Sequence, residues 1–203
     1  MKSPIDVFTD WANDGRDENM AKGHANSVQA MLDFALKNQT DSFAFIDAGC
    51  GNGWVVRMMA QHSLCQSAIG VDGSQSMIEK ARSIDSKNHY HCNDLIDWIP
   101  EEKVDLVHSI EVFYYVEDPI GLIKHARDNW LNPGGRLIMG VDYYTENTVS
   151  ESWNIDCGIS IMTRLSESEW VDGFNQAGFH DVQSWREGEK EGWAGTLVVT
   201  GIK

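Results

Sequence analysis

An apolar strand that runs directly into alternating glycines most strongly limits how this chain can fold. Residues 45–53 read Phe-Ile-Asp-Ala-Gly-Cys-Gly-Asn-Gly, so the predicted strand ends on Asp47. The glycines that follow are Gly49, Gly51 and Gly53. Because glycine has no Cβ, such a turn can adopt positive φ and let a ligand lie against the backbone. Residues 54–60 have the pattern of a helix, whose N-terminus would present free N–H groups to that ligand.

The glycine spacing argues against two common nucleotide-binding motifs. The dinucleotide fingerprint is spaced G-x-G-x-x-G, and here Trp54 occupies the position of its third glycine. A large indole there would obstruct the close packing of helix on strand that this glycine permits. The P-loop pattern also fails, because no Gly-Lys-Ser/Thr follows the turn. A glycine-rich turn that only reverses the chain is the remaining structural alternative.

Acidic residues follow the next two predicted strands. The apolar run at 68–72 ends on Asp72, and an acid at the end of the second strand of a βαβ unit can accept both hydroxyls of a ribose. Asp72 therefore indicates a nucleoside ligand without choosing between NAD and other nucleosides. Residues 89–92 are followed by Asn93-Asp94-Leu95, where Asp94 can also serve as the N-cap of a short helix.

The D-x-G-x-G-x-G form of the turn resembles motif I of the class I S-adenosylmethionine-dependent methyltransferases, of the small-molecule, methyltransferase-11-like type. Residues 104–119 resemble the fourth strand and loop of that family, and residues 131–139 resemble its next turn and fifth strand. The resemblance implies S-adenosyl-L-methionine as cofactor, S-adenosyl-L-homocysteine as product, and no metal. It places the methionine end of the cofactor on the glycine turn, the ribose at Asp72 and the adenine amino group at Asp94. The cofactor-binding residues that it implies are Asp47, Gly49, Cys50, Gly51, Gly53, Asp72, Gly73, Met77, Asn93, Asp94, Leu95, Ser109, Ile110 and Glu111.

Alternating strand and helix patterns predict an α/β fold. We expect a Rossmann-like three-layer sandwich whose seven-stranded, mostly parallel sheet is closed by a C-terminal antiparallel hairpin strand. The predicted strands lie near 43–48, 67–72, 88–92, 104–109, 135–142, 179–187 and 194–202. The predicted helices lie near 53–64, 74–85, 118–130 and 166–177, the last with capping-box spacing from Ser166 and a closing Gly178.

Length and composition predict a single domain over residues 1–203. Its expected parts are an N-terminal helical lid (1–42), a cofactor-binding core (43–142), a substrate-side insertion (143–165), and a helix with the closing hairpin (166–203). Within the lid, Val28, Met31 and Leu32 begin an amphipathic helical stripe that should pack on the sheet. The lid function is implied by the resemblance to related enzymes.

The charge balance limits the partners. The chain has 16 basic and 31 acidic residues, a net charge of −15, which disfavours nucleic acid and anionic membranes. The irregular spacing of its four cysteines, the absence of a membrane-length apolar run and the lack of an apolar signal-peptide core predict a cytoplasmic protein. The expected acceptor is a small molecule, neutral or cationic, and the oligomeric state is not predicted.

Methyl transfer is an in-line displacement, and it needs a general base only if the nucleophile arrives protonated. The candidate bases, which the sequence does not rank, are Glu111, His24, Tyr114 and Tyr143. The candidate substrate walls are Trp11, Tyr114, Tyr115, Tyr143, Tyr144 and Trp153, although part of this aromatic set should belong to the core. A protein methyltransferase and a non-catalytic cofactor-binding module remain alternatives, whereas Trp54 and the glycine spacing disfavour a nicotinamide oxidoreductase.

Overall fold

A twisted sheet of seven strands forms the centre of the molecule, with the strand order β3-β2-β1-β4-β5-β7-β6. The computed structural model describes residues 1–203, apart from the side chains of Asn19 and Met20. The strands are β1 Phe43–Ala48, β2 Cys65–Asp72, β3 His89–Cys92, β4 Val104–Ile110, β5 Leu131–Val141, β6 His180–Glu187 and β7 Thr196–Ile202. The first five are parallel, and β7 pairs antiparallel with both β5 and β6. The predicted fold class is confirmed.

Helices cover both faces of this sheet. They are α1 Pro4–Asn13, α2 Asp17–Leu36, α3 Trp54–Met59, α4 Gln75–Ile84, α5 Pro119–His125, α6 Trp153–Asp156 and α7 Glu167–Ala177. On one face α2, α3 and α4 bury Val28, Val56 and Ile78 against the sheet, and on the other α5 and α7 bury Ile123 and Trp170. Within the described residues, no helix is both long and apolar enough to cross a bilayer.

Local capping signals in the sequence set the ends of α7. Ser166 and Glu169 form the predicted capping box, in which each side chain accepts from the other residue's backbone N–H. Gly178 ends the helix with φ +92°, a conformation that side chains other than glycine adopt at a cost. The stripe predicted on the N-terminal helix is also confirmed, because Val28 and Met31 are fully buried.

The region around residues 126–135 differs from the prediction. The α-helical part of the segment predicted at 118–130 ends at His125, and residues 126–130 continue as a π-helical turn. The fifth strand then begins at Leu131, earlier than predicted, because Leu131 pairs with Val104 before a shift in register. The shift coincides with the Asn132–Gly135 segment, where Gly134 has φ +80° and donates its N–H to the carbonyl of Lys203. Contacts with the C-terminus therefore stabilise an irregular part of β5 that the local sequence predicts as a turn.

Candidate functional site

A cavity of about 820 Å³ opens beyond the carboxyl ends of β1 to β4. This is where open parallel sheets bind their ligands, and the volume lies in the range of small-molecule and cofactor sites. Of the residues predicted to bind the cofactor, those lining it are Gly49, Cys50, Gly51, Asp72, Gly73, Met77, Asp94, Leu95, Ile110 and Glu111. Residues from four different strand ends are thus brought to one cavity.

The glycine turn after β1 has the conformation that its sequence predicts. Gly49, Gly51 and Gly53 have φ of +77°, +50° and +76°. A Cβ built on Gly49 would lie 2.1 Å from Val112 Cγ2, so the turn packs directly on the loop after β4. Gly53 does not reach the cavity, since its α-carbon faces the ring of Tyr90, 2.4 Å from the position of a Cβ. These glycines therefore permit both the turn and its close packing.

Asp72 at the end of β2 organises this turn. Its Oδ2 accepts the Gly51 N–H at 2.9 Å, and its Oδ1 accepts the Ser74 N–H at 2.8 Å. Burial raises the pKa of Asp72, and the two backbone donors oppose that shift. Each carboxylate oxygen keeps a free lone pair, so the group can also accept from a ligand in the cavity.

Asp94 and Leu95 lie one strand further out, after β3. Asp94 is exposed at the cavity wall, and its Oδ1 accepts the Ile96 N–H at 3.0 Å. Leu95 is buried beside it, whereas Asn93 is exposed and lies outside the cavity lining. This end of the cavity therefore combines a polar acceptor with an apolar surface.

Glu111, directly after β4, has an unusual backbone and a buried carboxyl group. Its φ of +59° is rare for a residue other than glycine and marks a position under local strain. The Tyr114 hydroxyl donates to Oε2 at 2.7 Å, and the backbone N–H of Asp142 donates to Oε1. Burial, and then the neighbouring Asp142, raise the pKa of Glu111 well above its usual range.

Three side chains with nitrogen or carboxylate acceptor atoms lie close together where β4 and β5 end. One acceptor atom each from His24, Glu111 and Asp142 lie within 4.8 Å of one another. His24 Nδ1 is 3.8 Å from Asp142 Oδ2, and burial raises the pKa of Asp142. Such a mixed set of nitrogen and carboxylate donors is also compatible with a divalent metal ion. The sequence-based expectation of no metal stays a prediction.

The N-terminal segment covers the cavity. Ile5 and Phe8 of α1 line it, and Ile5 packs where a Cβ on Gly73 would lie. The start of α2 is attached by Asp17, whose two carboxylate oxygens accept from Asn52 Nδ2 at 2.7 Å and from Lys80 Nζ at 2.8 Å. Residue 2 pairs with residue 159 of the segment predicted as the substrate-side insertion, so the two flanks of the core meet over the cavity.

Two further predicted cofactor residues lie beneath the cavity rather than in its lining. Asp47 is buried, and its Oδ1 lies 2.7 Å from Nδ1 of His108, its partner in the β1–β4 register. Ser109 is also buried and donates its hydroxyl to the carbonyl of Ala48 at 2.7 Å. Both side chains join the ends of β1 and β4, so they support the turn that faces the cavity.

Most of the aromatic residues predicted as substrate walls also lie away from the cavity lining, with Tyr115 as the exception. Trp11 packs edge-on against Phe8, and Trp153 stacks on Trp193. The Tyr144 hydroxyl donates to backbone carbonyls of the segment before β7. Tyr143 and Tyr114 are buried in contact with each other, with ring centroids 5.4 Å apart, so Tyr114 reaches the site only through the contacts of its hydroxyl with Glu111 and Tyr115.

The sequence analysis missed lining residues in α1. Ser3 accepts the Asp6 N–H and Pro4 occupies the first helical turn, which is an N-cap signal present in the sequence. The i, i+3 pair of Ile5 and Phe8 then indicates a helix face that needs a partner. Local patterns could not identify the surface on which this helix face packs, because α1 contacts α4 and the cavity, which are formed by residues far along the chain.

Comparisons with known proteins agree with this architecture. A family model described as a methyltransferase domain matches residues 18–184. Trans-aconitate 2-methyltransferase of Agrobacterium fabrum is 30% identical over 132 residues, which cover 65% of this chain and 48% of that protein, so the match spans about half of the relative.

Solved structures of methyltransferases share this fold. One is a protein described as a methyltransferase, solved in complex with the Haloferax volcanii Trm112 methyltransferase activator. The two chains are 27% identical and superpose with a TM-score of 0.81, over 100% of this chain and 98% of that chain. The N-methyltransferase NodS of Bradyrhizobium japonicum, solved with S-adenosyl-L-homocysteine, shares the fold at a TM-score of 0.65 and 17% identity, covering 86% of this chain and 84% of that chain. With its sheet order, glycine turn and family match, the chain belongs to the class I S-adenosylmethionine-dependent methyltransferases.

Proposed function

We propose that the cavity binds S-adenosyl-L-methionine across the ends of β3, β2 and β1, and that a small molecule accepts the methyl group. The order of polar groups along this edge carries the proposal. Asp94, Asp72 and the glycine turn follow one another on adjacent strands, and Glu111 comes next on β4. Neighbouring strands are about 4.8 Å apart, so this row has the length of an extended nucleoside with an amino-acid tail.

In this arrangement each polar group has a defined task. Asp94 accepts from the adenine amino group and Asp72 accepts the ribose hydroxyls, since carboxylates are acceptors only. The backbone of Gly49 to Gly51 lies against the methionine end, where glycine leaves room for a ligand. The transferable methyl group then points past β1 towards Glu111 on β4.

The cover over the cavity supports a small acceptor. Ile5 and Phe8 of the N-terminal segment and Ile161 of the 143–165 segment all line the cavity, and the two segments pair with each other at residues 2 and 159. A peptide substrate would need an open groove, which this cover occupies. We therefore propose that residues 1–42 act as a lid and 143–165 as the acceptor-side insertion of a cytoplasmic enzyme.

The reaction needs alignment more than chemical activation. The sulfonium already carries a good leaving group, so the protein has to hold nucleophile and methyl carbon in line and exclude water. The apolar side chains of Phe8, Ile110 and Val112 at the cavity wall serve to exclude water.

A label-transfer assay tests this proposal. The purified chain is incubated with methyl-labelled S-adenosyl-L-methionine and a cell extract, which is then separated into protein and small-molecule fractions. We expect label in the small-molecule fraction, and less of it with Asp72→Asn when the cofactor concentration is held below the wild-type Kd. Label confined to the protein fraction would contradict the proposal in favour of a protein methyltransferase.

Cofactor binding is measured separately by thermal shift, because a ligand that binds only the native state raises the melting temperature. S-adenosyl-L-homocysteine should raise it and NAD should not. The structure with the Haloferax volcanii Trm112 activator shows a similar protein bound to an activator. Thermal shift detects cofactor binding to the present chain even if methyl transfer requires such an activator. Stabilisation by NAD alone would contradict the cofactor assignment.

A further inference from the structure

Two carboxylates at the ends of neighbouring strands are buried side by side. Glu111 is 8% exposed and the Asp142 side chain is 7% exposed. Both oxygens of Glu111 accept hydrogen bonds, from the Asp142 backbone and from Tyr114. Oδ1 of Asp142, by contrast, has no donor at hydrogen-bond distance among the described residues, although the Thr196 hydroxyl near this carboxyl group opposes the rise of its pKa. A buried carboxylate oxygen without a partner is costly, so this pair indicates a cationic donor that binds here.

His24 is the third member of the group, so the site has three acceptor residues. One acceptor atom from each of His24, Glu111 and Asp142 lie within 4.8 Å of one another, so one small donor can reach all three. A primary ammonium has three N–H donors. His24 and Glu111 line the cavity, and Asp142 lies behind them with its Oδ2 3.8 Å from His24 Nδ1. The group is therefore reachable from the cavity.

The charge of the cavity wall also favours a cation. Among the described residues that line it, none is Lys or Arg. The acidic side chains that line it are Asp17, Asp72, Asp94, Glu111, Glu117 and Asp118. An acceptor that carries carboxylates, such as the trans-aconitate named for the Agrobacterium relative, would meet no fixed positive charge and several negative ones. An ammonium group would be attracted by the same negative charges.

We infer that His24, Glu111 and Asp142 bind the ammonium group of an amine acceptor, and that nitrogen is the atom methylated. This inference rests on the proposed function, because it is the proposed cofactor position that directs the methyl group to β4. Glu111 would contact the ammonium from the cavity wall. Asp142 would supply the second negative charge, and His24, on α2 of the lid, would offer the third acceptor atom.

The proton and electron balance is simple. The bound ammonium gives one proton to the Glu111–Asp142 pair, whose oxygen atoms lie within reach of one small donor. The freed nitrogen lone pair forms the N–C bond while the C–S bond breaks, and the bonding electrons stay on sulfur. The products are a methylated ammonium and S-adenosyl-L-homocysteine, and the proton leaves to solvent.

Sinefungin tests the site without knowledge of the acceptor, because this analogue carries a primary amine where the cofactor carries its methyl group. We expect the wild-type chain to bind sinefungin roughly tenfold or more tightly than S-adenosyl-L-homocysteine, the effect of a hydrogen bond to a charged group. In Glu111→Gln and in Asp142→Asn this ratio should approach one. Measurable binding of S-adenosyl-L-homocysteine by each variant shows that it is folded.

Glu102→Gln is the matched control, since it removes one negative charge from an exposed side chain away from the cavity, and it should keep the wild-type ratio. Equal affinities of the wild type for the two analogues would overturn the ammonium site and leave the cofactor assignment intact. Failure of both analogues to bind would instead contradict the proposed function. Binding of Mn²⁺ to the free chain, lost in Asp142→Asn, would assign the three side chains to a metal and overturn the inference.

An acceptor assay completes the test. S-adenosyl-L-homocysteine release is measured with tyramine and other small primary amines, and with trans-aconitate. We expect release with an amine, none with trans-aconitate, and a decrease of tenfold or more in kcat/KM in Glu111→Gln. Turnover of trans-aconitate without turnover of any amine would overturn the inference.

Discussion

Replacing Gly49 with alanine tests how closely the glycine turn is packed. The variant places a Cβ at φ +77° and 2.1 Å from Val112 Cγ2. The left-handed backbone costs about 1–2 kcal/mol in a residue other than glycine. Forcing a methyl group into a filled space costs about 1–3 kcal/mol more. We therefore expect Gly49→Ala to lower the free energy of unfolding by about 2–5 kcal/mol.

Gly134 provides the matched control. Its φ is +80°, but nothing lies within 4 Å of the position of a Cβ. Gly134→Ala should therefore show only the backbone cost, and the two variants should differ by the packing cost of about 1–3 kcal/mol. Urea unfolding followed by tryptophan fluorescence measures both, with an unchanged slope and a lower midpoint.

The same substitution should affect the ligand. Displacement of Val112 moves the backbone next to Glu111, so Gly49→Ala should weaken S-adenosyl-L-homocysteine binding while Gly134→Ala should not. Equal stability of the two variants, or wild-type affinity in Gly49→Ala, would refute the close contact between the turn and the β4 loop.

Three further predictions follow from the site. Asp72→Asn should raise the Kd for S-adenosyl-L-homocysteine roughly tenfold or more in calorimetry, as expected for losing hydrogen bonds to a charged acceptor. The control Asp97→Asn, at an exposed position, should leave this Kd unchanged, and equal Kd values for the two variants would count against the ribose assignment. Burial raises the pKa of Glu111 in the fold, so the wild type loses stability as pH rises above about 4.5. Because Gln does not titrate, the melting temperature of Glu111→Gln should rise relative to the wild type as pH increases above this value, and the difference should be smallest in acid. A pH-independent difference would argue against a buried carboxyl group with a raised pKa. Lys80→Met removes the cation from buried Asp17 and should weaken cofactor binding by up to about fivefold, because the lid is then less firmly attached; no change would show that this ion pair does not hold the lid.

Local sequence was sufficient to place the glycine turn and the acidic strand ends at one cavity, where we propose that the cofactor binds. Strand ends are marked by apolar runs that stop on acids, and parallel strands bring those acids to one edge whatever the rest of the chain does. Asp72 and Asp94 could therefore be placed together although they lie 22 positions apart in the sequence. The positive φ of Gly49 followed from the same local pattern.

The part of the cavity near the ends of β4 and β5, where we propose that the acceptor binds, was not predictable in this way, because it depends on contacts between distant segments. Tyr114 and Tyr115 have the same side chain, yet the 3₁₀ turn that contains them buries one in the core and leaves the other on the cavity wall. Tyr144 is fixed by carbonyls fifty residues further along the chain. Asp142 meets His24 only because α2 packs on the β5 end of the sheet.

The most direct test of the central proposal is a crystal structure with S-adenosyl-L-homocysteine. We expect the ribose hydroxyls within about 3 Å of the Asp72 carboxylate, as hydrogen bonding requires, with adenine at Asp94 and the homocysteine tail on the turn from Gly49 to Gly51. Its sulfur should face Glu111. A nucleoside bound at the ends of β4 and β5, or a ligand outside the cavity, would contradict the proposal.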